Sequence, residues 1–171
     1  MKSLFTSCII LLILTSCSSE KNEVVYTLPE NAMEKLAGKE SKTWKLAKRT
    51  NGGVRVNMGD CTLAYRQTFS TNQEVSDNNS QNNNCGPSIT GKWNFSVGRN
   101  GQAYLAISSD IIPTLFQVKE GSNTKYFKIT ALSDSLLIYH FPHQLFSNKT
   151  TIIEDVLIPE DAPDGGRNFH W

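Results

Sequence analysis

What this chain lacks narrows it before anything it contains. No stretch reaches the ~20 apolar residues that a membrane-spanning helix needs. The longest run, Ile9-Ile10-Leu11-Leu12-Ile13-Leu14, stops well short. Charge of one sign is also missing: 17 Lys and Arg stand against 16 Asp and Glu, net +1, with no basic block or stripe. The electrostatic footprint of nucleic-acid binding, or of polybasic docking on anionic lipid, is therefore absent. Histidine is scarce, with three in all, and His140 and His143 form the only close pair. No Cys or carboxylate stands at ligand spacing beside them, so no metal and no cofactor is expected. There is no Gly-x-Ser-x-Gly elbow, P-loop or dinucleotide fingerprint. Glu154 and Asp155 adjoin on a strand pattern and point to opposite faces, a poor acid/base pair. No catalytic residue is nominated, and an enzyme is not expected.

The four cysteines separate by position. Residues 1–16, with Lys2 ahead of the apolar run, have the layout of a secretory signal peptide. Leu14-Thr15-Ser16-Cys17 resembles the lipobox of bacterial lipoproteins, in which the cysteine sulfur receives a diacylglycerol and cleavage leaves it as the acylated first residue. The resemblance implies palmitate-class acyl chains on Cys17, which would anchor the protein to the outer membrane, facing the periplasm or the cell surface. The alternative is an ordinary cleaved signal with an incidental cysteine. Cys8 leaves with the signal, which leaves Cys61 and Cys85. In an oxidising compartment this pair is expected to form a disulfide, contributing roughly 3 kcal/mol in the chain-entropy model; two separate thiols are the alternative.

Residues 17–28 are polar and read as a lipidated tether. The segment from Asn31 to Gly38 has the marks of a short helix: Asn31 as cap, Glu34 three residues on, Gly38 as stop, with Met33, Leu36 and Ala37 as its apolar face. From Ser41 the period becomes two. Strands are expected over Ser41–Ala47, Cys61–Phe69, a short Gln73–Val75, Ile89–Val97, Gln102–Ser108, Lys125–Leu132, Leu136–Phe141 and Thr150–Ile158. Ile111–Phe116 is apolar but carries Pro113, which suits an edge strand or a crossing segment. Turns fall every eight to twelve residues, as in an antiparallel sandwich or barrel.

Ser41-Lys42-Thr43-Trp44-Lys45-Leu46, Gly91-Lys92-Trp93 and the hairpin Ile129–Leu136 resemble the small lipocalin-like domains of bacterial envelope lipoproteins. In true lipocalins the Gly-x-Trp lies on the first strand, whereas here its match is mid-chain. The resemblance implies an all-β, up-and-down barrel of about eight strands with a short N-terminal helix over residues 29–158, and no catalytic residues. Residues 159–171 form a tail ending Phe169-His170-Trp171, expected to dock on the barrel or to serve as a partner-binding peptide. Trp44, Tyr65, Trp93 and Tyr104 are the aromatic candidates for a ligand pocket, with plain core as the alternative for each. The leading expectation is a membrane-anchored module holding a small apolar or amphipathic ligand in a barrel that contains an apolar pocket. Its rival is a non-enzymatic accessory lipoprotein with a filled barrel and an envelope protein partner.

Overall fold

The structure, a computed structural model, describes residues 24–144 and 149–167. The signal segment, Cys17 and the Phe169-His170-Trp171 terminus lie outside the described residues.

The chain runs α1 (Ala32–Ala37), β1 (Ser41–Asn51), β2 (Val54–Arg55), α2 (Asp60–Ala64), β3 (Arg66–Ser70), β4 (Glu74–Asp77), a single 3-10 turn (Asn79–Gln81), β5 (Thr90–Val97), β6 (Ala103–Ser108), α3 (Ile112–Leu115), β7 (Thr124–Leu132), β8 (Leu137–Gln144) and β9 (Thr150–Pro159). β2 is a two-residue return at the end of β1. The remaining eight strands pair antiparallel with their neighbours in chain order, and β1 pairs with β9. That last pairing closes the sheet into an up-and-down barrel and removes both edges.

The two halves of the barrel are filled differently. At one end Trp44, Phe69, Trp93, Leu137 and Leu157 are buried and face inward. Phe69 meets Trp93 edge to face at 5.8 Å, and Trp93 meets Phe95 at 5.4 Å. Each such side chain, once fully buried, contributes about 1.5–3 kcal/mol. α1 plugs this end through Ala32, Leu36 and Ala37, and the Trp44 indole donates to the Leu36 carbonyl at 2.9 Å. Met33 is not on the apolar face, where Ala32 takes its place. Asn31 occupies the cap position without a side-chain cap bond, and Gly38, at φ 66°, closes the helix. Part of the expected tether is also built in. The Tyr26 carbonyl accepts from the Ala103 amide, and its hydroxyl donates to the Leu132 carbonyl.

Gly91 shows why the Gly-x-Trp strand needs its glycine. A Cβ there would stand 2.0 Å from the Ser108 carbonyl oxygen on β6. Without it, β5 approaches β6 closely and brings Trp93 into the core, its indole donating to the Ser70 carbonyl at 3.1 Å.

Two segments depart from strand: the first part of Cys61–Phe69, and Ile111–Phe116, for which an edge strand or a crossing segment was expected. Residues 60–64 form α2, because local side chains and the tail satisfy its last carbonyls. Arg66 and Arg167 donate to the Leu63 carbonyl, and Asn78 donates to that of Ala64. Ile111–Phe116 is not an edge strand. Pro113 sits in the first turn of α3, where its missing N–H costs nothing.

Candidate functional site

The other half of the barrel is open. Between α2, α3 and strands β1, β3, β4, β7, β8 and β9 lies a cavity of about 360 Å³. That is near the lower end of the range for small-molecule sites. At about 30 Å³ apiece it has room for roughly a dozen water-sized groups.

A break in strand parity supplies its floor. From Trp44 and Leu46, strict alternation would send Arg49 outward. A β-bulge between Leu46 and Lys48 shifts the register by one residue, so Arg49 faces Asp155 across the β1–β9 seam, inside the barrel. Arg49 Nε and Nη2 donate to the two Asp155 carboxylate oxygens at 2.6 Å each. Burial pulls against the Arg49 charge, but the paired bonds to Asp155 outweigh it and hold the guanidinium above its ordinary pKa. Tyr65 and Tyr139 line the same floor. Burial, reinforced by carboxylates nearby, raises both phenols above their ordinary value and keeps them protonated.

Gln67 lies beside them on β3, 2% exposed, and its Oε1 has no hydrogen-bond partner among the described residues. Asp77 also lines the cavity, but its oxygens accept from the amides of Asn79 and Ile89 at 3.0 and 3.1 Å, fixing the loop between β4 and β5.

The walls are aromatic and aliphatic. Phe127 lies 5.3 Å from Phe141 and 4.9 Å from Tyr139, while Phe116, just after α3, closes on both phenylalanines at 5.7 and 5.8 Å. Leu115, Ile89 and Ile153 complete the apolar part. The cavity has the size expected of the pocket, a few hundred cubic ångströms, with apolar walls over a polar floor.

At the mouth Cys61 on α2 and Cys85 after the Asn-rich loop form a disulfide with their Cα atoms 5.3 Å apart, and both line the cavity. The tail braces the same region from outside. Arg167 is buried and donates to the Leu46 and Leu63 carbonyls at 2.7 and 2.8 Å, and Lys45 forms an ion pair with Asp164 at 2.6 Å.

Of the four aromatic candidates, Tyr65 lines this cavity. Trp44 and Trp93 do not; they fill the plugged half. Tyr104 alternates with the inward-facing Leu105 and lies on the outer side, its ring over Gly98. Sequence reasoning passed over Arg49, Tyr139, Phe116 and Phe127 as site residues, and it treated Asp155 only beside Glu154. The bulge hid Arg49. Asp155 carried a signal, since it alternates with Ile153 and Leu157 on what became the inner face.

The two histidines diverge. His140 lies outside, its Nε2 2.9 Å from Glu154 Oε2, while His143 stands on the cavity rim. Among the described residues no group of three potential ligands is placed to hold a metal ion.

The model of the lipocalin-like domain family matches residues 41–139. No curated protein matches the chain. Among solved structures, a lipocalin-like protein from Bacteroides uniformis is similar at 16% identity, covering 72% of this chain and 97% of that one, with a TM-score of 0.41.

Proposed function

Because the chain belongs to the lipocalin-like domain family, whose barrel suits small-ligand binding in general, we propose that it holds a small amphipathic molecule in the open half of the barrel. The observation that carries this is the unfilled cavity of about 360 Å³ lined by Gln67, whose buried Oε1 has no hydrogen-bond partner among the described residues. A buried polar atom without a partner costs about 1–3 kcal/mol, and a ligand donor would recover it. The aromatic walls would take the apolar body of the ligand and the Arg49–Tyr65–Tyr139 floor its polar end. In this proposal acyl chains on Cys17 tether the module to the outer membrane. Two or more chains suffice for stable anchoring, at about 0.8 kcal/mol per buried methylene.

The test has two parts. Intact-mass analysis of the protein extracted from its own membrane should show an acylated Cys17, lost in Cys17→Ala; an unmodified mass removes the anchor. Separately, N-phenyl-1-naphthylamine should brighten on binding the wild type and not Ile153→Trp, whose indole would occupy the cavity. Equal brightening in both proteins, or none in either, would overturn cavity binding.

A further inference from the structure

The cavity contains charges, yet almost all of them are already engaged. Asp155 takes Nε and Nη2 of Arg49 and neutralises the guanidinium, and Asp77 accepts two backbone amides. The buried Lys125 stands behind the aromatic wall. Its Nζ lies 5.5 and 5.9 Å from the Phe116 and Phe141 rings and donates to the Pro142 carbonyl at 3.2 Å. On the floor, the groups left for a ligand are the Gln67 Oε1 acceptor, the remaining Arg49 nitrogen Nη1, and the Tyr65 and Tyr139 hydroxyls, while Thr62, Asn79 and His143 add polar side chains to the lining. Together they ask for a partner that both donates and accepts.

We infer that this site, taken as the ligand cavity proposed above, selects an uncharged hydroxyl or amide head on a short apolar body and discriminates against the matching carboxylate and ammonium. A carboxylate has no hydrogen to give Gln67 Oε1, and it would add a buried negative charge beside Asp155 and Asp77. An ammonium could donate to Gln67, but it would shed its water facing the Arg49 guanidinium with no unpaired anion to receive it. An alcohol or amide carries no charge to desolvate, gives one hydrogen to Gln67 Oε1 and accepts from Arg49 or a tyrosine.

Competition by 1-octanol, octanoate and octylammonium for bound N-phenyl-1-naphthylamine, on the full chain at about pH 8, tests this directly. The alcohol should displace the probe at roughly tenfold lower concentration than either ion. Acidifying to about pH 4 protonates octanoate, and its affinity should rise toward that of the alcohol. This arm uses the wild-type protein and no variant that might fail to fold. In Gln67→Leu the advantage of the alcohol should shrink. Octanoate or octylammonium equalling or exceeding the alcohol at about pH 8 would overturn the head-group assignment while leaving the cavity as a binding site. Failure of all three to displace the probe would overturn the cavity itself.

Discussion

Arg49 and Asp155 face each other across the seam that closes the barrel, joined by two 2.6 Å bonds inside it. One pair thus serves two purposes: it fastens the first strand to the last, and it builds the floor of the cavity. Asp155 is 2% exposed, so it depends on Arg49 for compensation.

Arg49→Leu should therefore cost up to about 3 kcal/mol, the lower end of the penalty for leaving one buried charge alone, because the Arg49 side chain is itself 37% exposed. Replacing both residues, as in Arg49→Leu with Asp155→Leu, should cost markedly less than the two single changes added together. Urea unfolding of the four proteins in the cycle measures this. Additive losses would mean that the two side chains act independently.

The disulfide between Cys61 and Cys85 ties α2 to the Asn-rich loop at the cavity mouth. Replacing both with serine should lower stability by roughly 3 kcal/mol, from the loop that is no longer closed in the unfolded chain. It should also weaken probe binding, because α2 forms part of the wall. Denaturant midpoints and probe titrations with and without reductant read both effects.

Gly91→Ala places a methyl group where the Ser108 carbonyl already stands. The backbone of β6 would have to withdraw from β5, at a cost of about 1–3 kcal/mol, and unpacking of Trp93 should follow. A blue shift in tryptophan emission lost on substitution, with an earlier melting midpoint, is the expected signature.

Tyr65 and Tyr139 make stability fall in alkali. Both have folded pKa values raised by burial, so the folded state keeps protons that the unfolded chain loses near pH 10. Their contribution is complete below about pH 10 and declines as pH rises beyond it. Urea midpoints followed from about pH 8 to 11 should drop in the wild type and flatten in Tyr65→Phe with Tyr139→Phe.

Trp44→Phe removes the donor to the Leu36 carbonyl, leaving a buried acceptor unpaired at about 1–3 kcal/mol. Because that bond fastens α1 to the barrel, amide exchange in Ala32–Ala37 should accelerate more than exchange in β7 or β8.

The barrel was legible because alternation survives wherever one face of a strand is buried. Trp93 with Phe95, Phe127 with Ile129, and Tyr139 with Phe141 each fall on the inner face with the spacing that the pattern implies. The disulfide was legible for a different reason: two cysteines were left over once the others were assigned. The Cys61–Phe69 expectation held from Arg66 onward and failed before it, because alternation in residues 61–65 is also compatible with one helical turn. The groups that favour the helix, Asn78 and Arg167, are distant in sequence. For Ile111–Phe116 the edge-strand alternative failed through Pro113, which suits the first turn of a helix as well as an edge strand.

Within one chain, then, local chemistry determined the eight inward-and-outward strands, the turns between them and the pair of cysteines. Period-two burial and turn residues are properties of near neighbours. Which half of the barrel is packed, and which is open, was decided only in three dimensions. Both halves draw on the same strands, and the difference lies in what closes each end: α1 with Leu36 at one, α2, α3 and a disulfide at the other. A single bulge after Leu46 turned Arg49 inward to meet Asp155, 106 residues away in sequence. No periodicity within β1 can express a shift of register that exists only against its partner strand.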